Sequence, residues 1–436
     1  MTEGLKVVVI GGGSSYTPEL IEGFIKRKDE ILIREICLVD IPEGTEKLEI
    51  IKNLSERMIK KSRLNIKITS TFDRKDAING ADFIITQFRV GGIDARILDE
   101  KIPLKYNTIG QETTGAGGFA NALRTIPVIL DICKDIEEIS PNAFLINFTN
   151  PSGIVTETIL KLTNVKAIGL CNVPINMINM VAGIYNVDMD KVYIQFAGLN
   201  HLIWGMKVFI KSEDVTEKFL ESYIKKAGAL KNIPDFDWDP DFIKSLQMLP
   251  CPYHKYYYLT DRMIAEEKEI ALKEGTRAQL VKKIEKELFE LYKDPHLDTK
   301  PPQLEKRGGA LYSDAACNLI NSIINDKKDV QVVNVKNNGT ILDLPEDAVI
   351  ETNCIIDKRG AHPIQIGHVP AKIRGLMQIV KAYEELTIEA AVKGDYYTAL
   401  QALTLHPLIP SAEIAKKILD EILKENKNYL PQFYNN

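Results

Sequence analysis

One thiol and one imidazole, Cys171 and His201, stand thirty positions apart, each in a loop marked by glycine, asparagine or proline beside an expected strand. Together they would give a divalent ion two protein ligands and leave its other positions open for substrate oxygens, as a catalytic metal requires. The same two residues also suit a buried free cysteine and a core histidine, so spacing alone leaves both readings open. Further on, the run Tyr253-His254-Lys255-Tyr256-Tyr257-Tyr258 holds four tyrosines within six residues. At helical spacing these would pack, but a phenol becomes a usable base where a nearby cation lowers its pKa, and a metal ion is such a cation. Arg89 and Arg96, in Arg89-Val90-Gly91-Gly92-Ile93-Asp94-Ala95-Arg96, and Arg277, in Gly275-Thr276-Arg277-Ala278, offer guanidiniums to an anion or to surface salt bridges. Glu112 sits alone in the glycine-rich stretch Gly110-Gln111-Glu112-Thr113-Thr114-Gly115-Ala116-Gly117-Gly118, Asn150 follows the apolar run ending at Phe148, and Asn172 adjoins Cys171.

These groups need a scaffold, and the first strand and turn announce one. Leu5-Lys6-Val7-Val8-Val9-Ile10 is an apolar run that ends in Gly11-Gly12-Gly13-Ser14-Ser15-Tyr16 and leads into an apolar-periodic stretch. That reads as a buried parallel strand, a tight turn and a helix, the place where a dinucleotide pyrophosphate meets free backbone N–H groups. The G-x-G-x-x-G match is incomplete, since Tyr16 holds the third position. The second strand, Glu35 to Val39, is followed by Asp40, at about the distance where a carboxylate accepts from both ribose hydroxyls and repels a 2′-phosphate. The pattern therefore favours NAD over NADP.

At 436 residues the chain is longer than a usual single domain, and two interlocked units are expected, 1–195 for the nucleotide and 196–436 as a mixed α+β substrate and metal unit. A hydrophobic fraction of 45% with 26% charged residues suits a soluble globular enzyme, and a net charge of −5 argues against a nucleic-acid partner. No run reaches the roughly 18 apolar residues of a membrane span, so no membrane partner is expected. The acidic start Met1-Thr2-Glu3 runs straight into a strand without signal-peptide character, and six scattered cysteines form no C-x-x-C pair. A reducing cytoplasmic setting follows as the expectation.

Strand-like and helix-like segments alternate over the first 170 residues, the pattern of a doubly wound parallel sheet with helices on both faces. Ligands on such sheets gather beyond the carboxyl ends of the strands, where Arg89, Asn150 and Asn172 fall. After about residue 195 the pattern changes to two strands joined near Asn200 and His201, long helices, short strands near Val330 and Val349, and helices from about Pro370. One helical stretch, Met263 to Lys293, is so charged that its face reads as solvated, without chemistry.

Taken together, Gly11-Gly12-Gly13-Ser14-Ser15-Tyr16-Thr17-Pro18-Glu19-Leu20, Arg89-Val90-Gly91-Gly92, Gly110-Gln111-Glu112-Thr113-Thr114-Gly115, Asn147-Phe148-Thr149-Asn150-Pro151, Cys171-Asn172-Val173-Pro174, Gly198-Leu199-Asn200-His201, Pro250-Cys251-Pro252-Tyr253 and Gly360-Ala361-His362-Pro363 resemble the family 4 glycoside hydrolases, in family order over nearly the whole chain. Within that family the sequence is most similar to the 6-phospho-β-glucosidases. The resemblance implies a Rossmann-like, lactate/malate dehydrogenase-like α/β fold, NAD held at Gly11, Gly12, Gly13, Ser14, Ser15 and Asp40, and a divalent ion, commonly Mn²⁺, on Cys171 and His201. It implies a phosphorylated disaccharide or aryl glycoside as substrate, with a homodimer or homotetramer as the assembly. It also implies a route outside the usual two-carboxylate scheme. NAD oxidises C3 of the sugar, Tyr253 removes the acidified C2 proton, the aglycone leaves from C1, water adds, and the ketone is reduced again. Asn150 and Arg277 match positions that hold the 6-phosphate or sugar, with Arg89 and Arg96 as helpers and Glu112 orienting water or hydroxyls. Asn172 departs from the aspartate of α-acting relatives, and an amide cannot donate a proton as that acid would. A β-linked substrate is expected.

Two other readings compete. A plain NAD-dependent dehydrogenase of a small hydroxy acid or sugar would use a catalytic histidine with an aspartate and no metal cysteine. A nucleotide sensor without turnover would leave Cys171, His201 and Tyr253 as packing residues, and if Tyr253 is not the base, Tyr256 is the next candidate.

Overall fold

The structure, a computed structural model, describes residues 4–226, 238–307 and 311–434. Val7, Val8 and Val9 are fully buried, as expected for a strand covered by helices on both faces. Six parallel strands, β1 (Leu5–Ile10), β2 (Ile33–Val39), β3 (Lys67–Thr71), β4 (Phe83–Thr86), β5 (Phe144–Asn147) and β6 (Lys166–Gly169), lie in the order β3-β2-β1-β4-β5-β6. The chain reverses its direction of winding between β1 and β4, and that reversal opens a crevice beyond the strand ends. The doubly wound nucleotide sheet read from the sequence is therefore present.

The sheet does not stop at β6. Strand Asp329–Lys336 adds antiparallel to it through Asn334 and Gly169, followed by Val349–Asp357, β7 (Val192–Leu199) and β8 (Leu202–Ile210). Residue 195 lies inside β7, and the sheet is continuous through it. Strands β7 and β8 form a hairpin whose two-residue tip is Asn200 and His201, with His201 in the left-handed region at φ 62°. The tip brings the imidazole to the end of the sheet that Cys171 occupies after β6.

The charged stretch Met263 to Lys293 is two helices, Thr260–Lys273 and Arg277–Tyr292, rather than one. Gly275 at φ 92° breaks the run, and a reciprocal capping box between Thr276 and Gln279 starts the second helix. Nor is the face all solvated: Glu285 is 13% exposed in an ion pair with Arg307. Periodicity shows that residues face one side of a helix, but not which partner covers that side.

A buried ionic clasp ties the two chain halves together. Lys381, on helix Ala371–Lys393, is fully enclosed and its ammonium meets the carboxylates of Glu157 and Glu384. Glu157, on helix Ser152–Leu162, also accepts from Lys161 at 2.9 Å and from the Val349 N–H at 2.8 Å. Lys381→Met would leave two buried carboxylates with Lys161 as their remaining cation. We expect it to cost about 3–5 kcal/mol in urea unfolding; a loss under about 1 kcal/mol would show the clasp to be dispensable.

Candidate active site

The crevice begins at the glycine turn. Gly11 has φ 87°, and a Cβ there would lie 2.8 Å from the Gln87 carbonyl oxygen, while one at Gly12 would lie 2.7 Å from the Leu38 Cβ. The turn is thus folded more tightly than any side chain permits. Asp40 follows β2 and accepts from the Gly13 N–H at 2.8 Å and the Ile41 N–H at 2.9 Å. The acid expected at the ribose therefore borders the turn itself. This cradle of bare backbone with a carboxylate at its edge fits a dinucleotide. Ser14 Oγ accepts from the Tyr16 N–H, and Ser15 Oγ donates to Glu285 at 3.1 Å. Tyr16, in the third fingerprint position, carries the Arg307 guanidinium 4.0 Å from its ring centroid, and Arg307 bonds Glu285 at 2.7 and 2.9 Å. Sequence reasoning missed Arg307 and Glu285, which lie nearly three hundred residues from the turn they cover.

Across the crevice a buried carboxylate is held between two guanidiniums. Glu112 meets Arg89 in a short ion pair and Arg96 Nη1 at 3.0 Å. Arg96, on helix Gly92–Lys105, is itself buried and bonds Glu100 at 3.0 Å, and Glu100 accepts from the Ala278 N–H at 2.7 Å. Burial alone would raise the Glu112 pKa, but Arg89 and Arg96 outweigh it and hold the carboxyl below its usual value. Arg277 lies at the start of its helix beside this cluster, donating to the Arg307 carbonyl at 3.1 Å, and Arg96 helps depress its pKa after burial. Glu267, read from the sequence as solvated, accepts from the Gly110 N–H at 2.8 Å, and burial pushes its pKa up to about 8.

The thiol, the imidazole and the phenol converge next to Glu112. The His201 ring stacks on Tyr253 with centroids 3.9 Å apart and planes 4° from parallel. Burial raises the Tyr253 pKa, with Cys171 and Glu112 adding to the shift, so that all three groups share one field. The Thr113 side chain lies close to the Tyr253 hydroxyl. The Cys171 sulfur accepts from the Val173 N–H at 3.4 Å, and the side chain of Asn200, immediately before His201, lies close to it. Burial pushes the Cys171 thiol well up and the His201 pKa down to about 4. A neutral imidazole whose Nδ1 is buried without a hydrogen-bond partner, beside a thiol, is a donor set that fits a divalent transition ion. Among the described residues no group of three or more His, Cys, Asp or Glu could hold a metal ion.

The remaining expected residues stand at strand ends. Asn150 follows β5, its carbonyl accepting from Asn121 Nδ2 at 3.0 Å, and Pro151 rather than Asn150 caps helix Ser152–Leu162. Asn172 caps helix Val173–Tyr185, and its carbonyl accepts from Asn176. Tyr253 is seated by His254, whose Nδ1 accepts from the Cys251 N–H at 3.0 Å. Tyr312 was also missed; it packs on Phe148 at 4.2 Å and stacks with Tyr16 at 6.1 Å, closing the crevice behind the turn.

Residues 6–187 match the family described as "Family 4 glycosyl hydrolase", and residues 196–409 match its C-terminal domain. A probable 6-phospho-beta-glucosidase of Bacillus subtilis is 57% identical, over 100% of this chain and 99% of its own. The structure of the Thermotoga maritima 6-phospho-beta glucosidase with manganese, NAD+ and glucose-6-phosphate superposes at a TM-score of 0.89 and 41% identity, covering 98% of this chain and 99% of that one. Malate dehydrogenase of Plasmodium falciparum shares the fold at a TM-score of 0.54 and 14% identity, over 89% and 98% of the two chains.

Two outcomes follow from this geometry. A Cβ at Gly13 would lie 2.7 Å from Asp40 Oδ2, so Gly13→Ala must displace the carboxylate. It should weaken NAD binding by about tenfold or more in calorimetric titration, and unchanged affinity would remove Asp40 from the ribose. Burial lowers the His254 pKa to about 3. Because the folded value lies below the unfolded one, the unfolded chain takes up the proton first. The neutral ring's contribution is complete above the unfolded value of about 6.5 and is lost as pH falls toward the folded one. From pH 7 to about 4.5, wild type should lose about 2–3 kcal/mol of urea stability relative to His254→Gln; parallel pH curves would refute the assignment.

Proposed function

The chain belongs to family 4 of the glycosyl hydrolases, and from that premise we propose that it hydrolyses 6-phospho-β-glucosides with NAD and a divalent ion. One observation carries the reading: the His201 ring lies flat on Tyr253, in the field of Cys171, beside a carboxylate that two arginines keep charged. When bound, NAD supplies a reversible hydride acceptor for sugar C3, and the divalent ion supplies positive charge for the oxygen that becomes anionic.

The chain's residues have separate tasks. Gly11, Gly12, Gly13 and Ser14 receive the pyrophosphate, Ser15 braces the turn through Glu285, and Asp40 accepts from the ribose. Cys171 and His201 hold the ion. Tyr253 takes the C2 proton: burial raises its pKa and keeps the phenol neutral, and a divalent ion held by Cys171 and His201 would supply positive charge that lowers it. Arg277 and Asn150 hold the 6-phosphate and sugar, with Arg89 and Arg96 setting the positive field. Glu112, locked as an anion, orients hydroxyls or water rather than donating a proton. Asn172 cannot serve as the leaving-group acid that an aspartate would be, which fits a β-linked substrate.

We further infer a division of work at about residue 195, with 1–195 carrying the nucleotide and 196–436 closing the metal and substrate side. The substrates are phosphorylated disaccharides or aryl glycosides, and the enzyme acts in the cytoplasm as a homodimer or homotetramer. No described helix is long and apolar enough to cross a membrane.

The test is release of the chromophore from an aryl 6-phospho-β-glucoside. Activity should need both NAD and Mn²⁺ and vanish in a chelator, whereas full turnover after removal of nucleotide and metal would overturn the reading. Steady accumulation of NADH would favour the dehydrogenase instead. In D₂O the product should carry deuterium at C2, and Tyr253→Phe should lower kcat by about 10²–10⁴-fold and abolish the exchange. Normal exchange in that variant would place the base elsewhere.

A further inference from the structure

Strand Val349–Asp357 is an apolar interior strand with one acid near its start, Glu351, opposite Gly198 of β7. Its side chain is fully buried. Oε1 accepts from Asn334 Nδ2 at 2.9 Å and from Asn200 Nδ2 at 3.2 Å. The other oxygen, Oε2, is enclosed with no hydrogen-bond donor. An orphan carboxyl oxygen in a core is costly, and a residue kept there at that cost is expected to hold something in place.

What it holds is Asn200. With its amide N–H₂ donating to Glu351, the amide oxygen turns toward the Gly153 N–H, from which it accepts at 3.3 Å. The Asn200 side chain lies close to the Cys171 sulfur, and its backbone continues into His201 at the hairpin tip. One amide is therefore fixed by a carboxylate on a strand and by the start of a helix, close to the thiol and one residue before the imidazole.

We propose that Glu351 is a positioning residue for the divalent ion, setting Asn200 and through it the Cys171 sulfur and the His201 ring. The role rests on the reading of Cys171 and His201 as metal ligands. Outer partners that orient ligands in this way change metal affinity without touching the ion. The element acting is the acceptor oxygen Oε1, not the charge, because Asn200 needs an acceptor at that point.

The experiment titrates the full-length, metal-free protein with Co²⁺ alone, in the presence of NAD. It follows the thiolate-to-cobalt charge-transfer band and the ligand-field bands, with thermal unfolding measured alongside. Glu351→Ala should bind Co²⁺ about 10–100-fold more weakly and shift the charge-transfer band. Glu351→Gln keeps an acceptor oxygen and should bind as wild type does. If Glu351→Ala does not fold, Asn200→Ala should show the same weakening. Wild-type affinity and spectrum in the alanine variants overturns the proposal, as does an equal loss in Glu351→Gln, which would assign the effect to charge. Cys171→Ser separates the two levels: it should remove the charge-transfer band. Should that variant bind Co²⁺ with an unaltered spectrum, the metal assignment falls and this proposal with it. An impaired Cys171→Ser beside a normal Glu351→Ala sinks the proposal alone.

Discussion

An anion in a dry crevice has to be neutralised, and Glu112 is neutralised by two guanidiniums at once. That interaction sets the conditions for every group around it. Taking one carboxylate and two arginines out of water costs several kcal/mol per ion unless their geometry is close, and the cluster recovers the cost by stacking charges in alternation. Arg96 answers Glu112 on one side and Glu100 on the other. Glu100 then fixes the first turn of the helix that begins at Arg277. The loop after β4, the glycine-rich loop and a helix from the second half of the chain are thereby held in register by charge. The field of Glu112 reaches His201 and Tyr253 from this point.

The two cofactor-binding edges are built by opposite means. At the nucleotide turn the side chains are removed: Gly11 and Gly12 bring backbone within contact distance of Gln87 and Leu38, and Gly13 lies against the Asp40 carboxylate. At the metal edge the side chains are fixed: Cys171 sits behind a strand end and His201 on a hairpin tip. The His201 ring is stacked on Tyr253, the Cys171 sulfur accepts from the Val173 N–H, and Asn200 is pinned between Gly153 and Glu351. Both strategies remove freedom before a ligand arrives, which is where positioned groups gain their effectiveness.

Much of this was legible in the chain. An unbroken Val-Val-Val-Ile strand, a glycine turn and an acid after the next strand leave few alternatives, and the structure carries that unit as expected. Cys171, His201 and Tyr253 were singled out by their motifs, and the structure stacks His201 on Tyr253 although 52 residues separate them. What stayed hidden were partners joined only by tertiary folding. Arg307 and Glu285 close on Ser15 and Tyr16 from the far end of the chain, and a local window sees in them only a charged helix and a loop. The single long helix expected across 263–293 breaks because Gly275 can take a left-handed backbone, a cost that helical periodicity does not register. Glu351 did leave a signal, an acid early in an interior strand, but its meaning depends on Asn200 across the sheet.

The state of the carboxyl groups bears on the chemistry directly. Displacement by two carboxyls requires one that is protonated and one that is ionised, both free to face the sugar, and NAD-dependent family 4 enzymes stand outside that scheme. Here Glu112 is held ionised by Arg89 and Arg96, Asp99 is paired with Arg124, and Glu285 is paired with Arg307. Glu100 is bound by Arg96 and the Ala278 N–H. Glu351, pushed up to about 7 by burial, is sealed behind Asn200. Each acid near the crevice is committed to holding another group. The groups beside them that enter no ion pair are a thiol, a neutral imidazole and a neutral phenol stacked upon it. None of these is a strong acid or base alone, and a cation held nearby would change the acidity of all three. A site composed this way is built to acidify a carbon–hydrogen bond next to a charge, not to trap a glycosyl cation between two carboxylates.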